Sequence, residues 1–316
     1  MNKKFLSYIG LFFVVFIWGT VPIVTLKLYD YYSPTVKLFF SQIILLISYL
    51  ILSHKQLHNF NMNYIKSGII TGIFLAFANV TQKIGLMYTT PAKYAFLENL
   101  SCITVPITMY ILVKKKANII TVISSITCLM SAFLLSGMTS DKMSGVGIGE
   151  ILCAIAGLLY GFNIAGTSVY AKNLYAPLYL AVQAFVGTIV SFVFTLFLNT
   201  PLTIGGNSVV IEKIVFSFKP VHILAAIIVT LISSAMCWII RTNASKHIDA
   251  SIISVIMPFS SVLTGIFSVL TGHDTLSINL ISGGLLSLLA ILMSCFNDIF
   301  INSKKIIRFL EYFNEK

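Results

Sequence analysis

Residues 82–112 read QKIGLMYTTPAKYAFLENLSCITVPITMYIL. Thr89-Thr90-Pro91 interrupts two apolar runs, so the stretch reads as the outer end of one membrane span, a tight turn and the next span. Within it, Lys83, Lys93, Glu98 and Pro106 stand where a lipid-facing helix carries only apolar residues. A second stretch, Trp238 to Leu270, repeats this plan with Pro258. The rest of the chain reads as two halves, each supplying one such unit to a shared site between them.

Composition agrees. The chain has 316 residues, 57% hydrophobic and 10% charged, with mean hydropathy +0.94. Soluble domains carry about 25% charged residues, so the membrane class is nearly forced. A spanning helix needs ~20 mostly apolar residues to cross a core of ~30 Å. Ten such runs occur, at 5–26, 35–53, 67–88, 91–113, 118–137, 147–169, 176–198, 220–240, 249–271 and 277–298. The gaps between them are too short for a separate soluble domain. Runs this long satisfy their backbones in lipid as helices, so the predicted class is an all-α membrane protein of ten transmembrane helices. The first run follows Lys3-Lys4 as a signal peptide would, but without a small-residue cleavage pattern it reads as span 1.

The net charge of +11 is no nucleic-acid footprint, because the basic residues sit singly or in short groups at span ends. With the N-terminus cytoplasmic, fourteen of the twenty-one basic residues fall inside, Lys114-Lys115-Lys116 among them. That bias predicts a multi-pass protein of the cell membrane with both termini cytoplasmic. The loop from Asn199 to Lys219 then lies outside, with an interfacial helix expected over 209–218, and Lys304–Lys316 forms a basic cytoplasmic tail.

An internal repeat organises the spans. Trp18-Gly19 matches Tyr160-Gly161 at an offset of 142, and Tyr32-Ser33-Pro34 matches Tyr175-Ala176-Pro177 at 143. Pro106 is paired with Pro258 at 152. Five spans per repeat invert the second copy relative to the first, giving halves at 1–140 and 141–316. Inverted repeats place a site near the midplane at their interface, which is the architecture of a carrier.

These residues resemble the EamA branch of the drug/metabolite transporter superfamily. The resemblance rests on WG-x-x-P at 18–22, GLMYTTPAKYAFLENLSCITVPI at 85–107, and ASKHIDASIISVIMPFSSVLTGIFSVLTGHDTLSINLISGGLL at 244–286. It implies a ten-helix inverted-repeat carrier in the cytoplasmic membrane, moving amino acids or other small metabolites, often outward. The chain departs from the pattern at several places. Lys114-Lys115-Lys116 stands where an acidic–basic pair is frequent, and His273-Asp274 where a Glu is frequent. Glu98 replaces a small or hydroxylated residue, and span 2 offers Ser41-Gln42 with Lys37 in place of an Arg.

Glu98 lies about seven residues into span 4, and an acid at that depth costs roughly 2.5–3.5 kcal/mol on insertion scales. It reads as a cation or proton site, as an anchor for a substrate ammonium, or as one member of an ion pair with Lys83 or Lys93. Lys83 shares a helical face with Asn79 and reads as an outer gate or as Glu98's partner. Lys93 snorkels to the interface. Trp18 and Tyr160 precede matching glycines and either pack helices or face a cavity, where Asn163 adds a polar group. Trp238 and Arg241 end span 8, where the interfacial aromatic belt accounts for both; Trp238 is also a substrate-site candidate. Pro22, Pro106 and Pro258 are expected to kink their helices, the last two as gating candidates.

Enzymatic signals are absent: no nucleophile–His–Asp set, metal spacing, phosphate loop or paired carboxylates. The five cysteines all lie in apolar runs and the histidines do not cluster, so neither a metal nor another cofactor is expected. The leading expectation is a secondary carrier, permease or exporter, for a small polar or zwitterionic metabolite, most simply an amino acid. Its substrate lies between spans 1, 3, 4, 6, 8 and 9, with protons as a candidate coupling ion. One alternative is uptake of a cationic or quaternary amine. Another is a membrane-embedded enzyme or assembly factor acting on lipid-linked substrates.

Overall fold

The computed structural model describes residues 3–89, 91–135, 147–199, 202–204, 207–209, 214–271, 278–279 and 281–296. The half boundary at 140/141, Lys142, His273-Asp274 and the basic tail lie outside the described residues, as does the side chain of Lys93.

The described residues are helical almost throughout, as the long apolar runs dictate. The helices are α1 (Lys3–Tyr29), α2 (Pro34–Ser53), α3 (Met62–Met87), α4 (Pro91–Glu98), α5 (Ser101–Val113), α6 (Ile119–Leu135), α7 (Ile148–Tyr170) and α8 (Ala176–Asn199). They continue with α9 (Pro220–Thr230), a π turn (Leu231–Met236), α10 (Cys237–Ala244), α11 (Ala250–Ile256) and α12 (Phe259–Leu270). A final apolar helix, α13, covers Ile281–Phe296. Among the described residues, seven helical segments are long and apolar enough to cross a membrane, and three apolar helices are shorter. Large apolar side chains point outward along α1 (Phe5, Ile9, Phe12, Phe16) and α8 (Phe185, Ile189, Phe192, Leu196). In water such a surface is a docking or aggregation liability, whereas in lipid it is the solvated face.

α3 packs on α7 and α8, α2 on α8, α5 on α7, and α1 on α10 and α12. Two of these crossings turn on the glycines matched in the sequence. A Cβ at Gly19 would overlap Leu263 of α12, and one at Gly161 would overlap Thr104 of α5. The Gly19 carbonyl also accepts from Thr264 Oγ1 at 2.9 Å. Both helices therefore approach a neighbour closely where the side chain is absent.

Two adjacent pairs of short helices replace expected continuous spans. α4 and α5 are separated by Asn99-Leu100, and α11 and α12 by Met257-Pro258. Pro258 stands at its break and caps α12, while Pro106 lies within α5 and Pro22 within α1. The pairing of Pro106 with Pro258 is thereby corrected, because the first break falls at Asn99-Leu100 without a proline. Asn99 Nδ2–H donates to Ser261 Oγ at 3.1 Å, and Ser261 Oγ–H donates to the Ala95 carbonyl at 3.3 Å. These bonds tie the first break to α12.

The interfacial helix expected over 209–218 is also corrected. Asn207–Val209 pairs with Leu202–Ile204 as a short antiparallel hairpin, and 214–218 is extended. Ser33 N–H donates to the Val215 carbonyl and Ser217 N–H to the Tyr31 carbonyl, both at 3.0 Å. The run Val215-Phe216-Ser217-Phe218 is rich in aromatic and β-branched residues, and Pro220 holds Lys219 extended.

At the opposite face, Lys115 pairs with Asp249, and Lys246 Nζ–H donates to the Leu174 carbonyl at 2.7 Å. Asp249 also caps α11 by accepting from Ser251 N–H at 3.1 Å. Exposed ion pairs contribute about 0–1 kcal/mol, and losing a cap costs about 0.5–2 kcal/mol. Asp249→Ala should therefore lower the thermal unfolding midpoint in detergent more than Lys115→Gln.

Candidate functional site

A cavity of about 140 Å³ lies between the helices. Its walls come from α1, α2, α3, α4, α5, α7, α8, the π turn, α10 and α12, and from the break before α12. Of the residues singled out in the sequence, Trp18, Asn79, Lys83, Glu98, Tyr160, Trp238 and Pro258 line it. Asn163 does not; it is fully buried behind the wall and acts through Arg241. Pro106 is not part of the lining.

The aromatic wall is formed where α1 meets the π turn. Trp18 Nε1–H donates to the Ser233 carbonyl at 2.8 Å, and the Trp18 and Trp238 rings lie 5.5 Å apart, tilted by 57°. A π turn shifts the register of everything beyond it, and such turns recur at functional sites. Beyond it, α10 runs on to Ala244 and carries Arg241 inward. This corrects the assignment of Trp238 and Arg241 to the interfacial belt. Arg241 is 3% exposed, its guanidinium carbon lies 4.1 Å from the centre of the Trp238 ring, and Nη2–H donates to Asn163 Oδ1 at 2.7 Å. Asn163 Nδ2–H in turn donates to the Thr71 carbonyl at 3.0 Å. A buried guanidinium needs such partners, and the planar ion stacks well on an indole.

A second network joins α7 to α3 and α4. Tyr160 OH lies 3.0 Å from Asn79 Oδ1 and 2.7 Å from Gln82 Oε1. A phenol has one proton, so it donates to one amide and the other amide presents its N–H. Gln82 also lies against the Glu98 carboxylate. Glu98 is the last residue of α4, at the edge of the helix break. Its position is set by Gly157 of α7, where a Cβ would overlap the Leu97 carbonyl and come within 3.1–3.2 Å of Glu98 backbone atoms.

The charges are asymmetric. Lys37, Lys83 and Arg241 line the cavity with Glu98 as the acid among the described lining residues. Lys83 Nζ lies 6.0 Å from the centre of the Tyr94 ring. Among the described residues, no ion pair joins Lys83 to Glu98. Glu98 nevertheless interacts electrostatically with Lys83 and Arg241. Span boundaries alone put Lys37 at an outer end, yet it is 8% exposed. A lysine within an otherwise apolar run was the available signal for it, as the Arg241–Trp238 spacing was for Arg241. Gln42 and Gln183 complete the polar lining from α2 and α8.

The family model described as "EamA-like transporter family" matches residues 5–137 and 147–296. The chain is 27% identical over 297 residues to an "Uncharacterized transporter" of Archaeoglobus fulgidus, covering 92% of this chain and 86% of that protein. A solved structure described only as "Crystal structure of protein" superposes with a TM-score of 0.70 at 12% identity. It covers 91% of this chain and 96% of that one, a likeness of fold alone.

Proposed function

Because the chain belongs to the EamA-like transporter family, a family of membrane transporters, we propose that it is a secondary carrier for a small polar or zwitterionic metabolite, most simply an amino acid. It works without enzymatic chemistry, by alternating access between two inverted five-helix halves, residues 1–140 and 141–316, in the cytoplasmic membrane with both termini inside. The two glycine crossings support this reading: α1 meets α12 at Gly19 and α7 meets α5 at Gly161, as a contact repeated in each half would. The ten-span count takes α4 with α5, and α11 with α12, as one broken span each. Discontinuous helices at the midplane are where carriers of this architecture seat substrate.

The observation that carries the proposal is the cavity drawn from both halves, with a carboxylate, two indoles and three basic side chains on its wall. An amino acid matches it: an ammonium for Glu98 and a carboxylate for a base. A quaternary amine fits less well. The Trp238 face it would use is occupied by Arg241, and three bases oppose its charge. Proteoliposomes holding the purified protein should exchange labelled amino acids saturably and without chemical change. Product formation without flux would end the carrier reading in favour of an enzyme.

A further inference from the structure

Resting on the carrier reading, we propose that the transported molecule is an anion: a small metabolite of net negative charge whose acidic groups meet Lys37, Lys83 and Arg241, while its amine meets Glu98. An acidic amino acid is the simplest molecule with that set of charges.

The cavity's charge balance is the first ground. Its described lining carries three basic side chains and the single acid Glu98. Water can leave such a wall only if a base gives up its proton or something else supplies negative charge, because unpaired charges in a low-dielectric space are costly. Lys37 makes this acute. It is 8% exposed, lines the cavity, and has no side-chain hydrogen bond or ion pair among the described residues. Lys83 lies 6.0 Å from the face of Tyr94 and interacts electrostatically with Glu98, with no ion pair between them among the described residues. Arg241 uses one Nη on Asn163 and its flat face on Trp238. A guanidinium has five N–H donors, so others remain for a carboxylate.

Placement is the second ground. Lys37 stands one turn into α2, near the face where 31–33 pairs with 215–217. Arg241 stands one turn before the end of α10, near the face closed by Lys115 and Asp249. The bases therefore flank the cavity from both ends, and Glu98 at the helix break lies between them. A molecule with two carboxylates and one amine reproduces that order. A neutral zwitterion leaves two of the three bases unanswered, and a cation adds repulsion.

The only two tryptophans of the chain, Trp18 and Trp238, both line the cavity. Intrinsic fluorescence of the purified full chain in detergent therefore reports occupancy independently of flux. L-Glutamate and succinate should shift the emission with apparent Kd values at least ~10-fold below that of L-glutamine, a gap of about one ion contact. L-Lysine and choline should leave it unchanged at the same concentrations. Lys37→Gln should narrow the glutamate–glutamine gap by about tenfold. Lys83→Gln provides the same readout if the first variant is not monodisperse. The proposal is overturned if glutamine or lysine binds as tightly as glutamate, if no acid in the panel binds, or if the gap survives both substitutions. Acid binding without passage of labelled glutamate into proteoliposomes leaves an anion-selective site standing and removes the carrier reading, and with it the claim that the anion is transported. Faster exchange of glutamine than of glutamate does the reverse.

Discussion

Glu98→Gln should reach the membrane at wild-type level or above and transport about 10- to 100-fold more slowly, the cost of losing a charged hydrogen-bonding group worth about 1.5–3 kcal/mol. Membrane level should hold because a mid-span acid opposes insertion by roughly 2.5–3.5 kcal/mol, which the amide relieves. The amide keeps the shape that packs against Gln82 but offers no charge to an ammonium or proton. A structural ion pair predicts something different: Lys83→Met combined with Glu98→Gln would restore function by removing both charges. Since no ion pair joins the two side chains among the described residues, the double variant should stay as slow as the single one. Flux into proteoliposomes, normalised to protein in the membrane, decides the matter. Restoration by the double variant would reduce Glu98 to a neutraliser of Lys83.

Gly157→Ala should impair transport to a similar extent from outside the cavity. The added methyl meets the Leu97 carbonyl and Glu98 backbone, none of which is the movable end of a side chain. α7 and α4 must separate, carrying Glu98 away from Gln82 and Tyr160. Overpacking of this kind costs typically about 1–3 kcal/mol. It should appear as a lower unfolding midpoint in detergent together with slower flux. Gly284→Ala is the control: its methyl meets only Val262 Cγ1, at 3.3 Å, and transport should remain near wild type. Equal behaviour of the two variants would show that the α4–α7 contact does not set the position of Glu98.

Much of the molecule was legible because lipid leaves few options. An apolar run of about 20 residues has one way to satisfy its backbone, so the helices fall where hydropathy places them. Glu98 stood out for the same reason, since an acid there needs a cavity or a partner. Trp18-Gly19 and Tyr160-Gly161 were readable because close helix crossings require a missing side chain. Pro106 misled. Proline marks a helix that tolerates interruption, but the observed break at Asn99-Leu100 is held by Ser261, which a distant helix supplies to Asn99 and to the Ala95 carbonyl. Arg241 misled too, because a cation near a span end ordinarily snorkels to the interface. The π turn and the Asn163 bond turn it inward instead.

By itself the sequence determined the membrane class, the helical segments and the acid set within one of them. Each follows from local composition acting against a solvent that cannot hydrogen-bond. Only the tertiary structure decided that Lys37, Lys83 and Arg241 share a cavity with Glu98. They lie on α2, α3, α10 and α4, far apart along the chain, and the sign of a cavity's charge is a sum over walls that no single stretch contains.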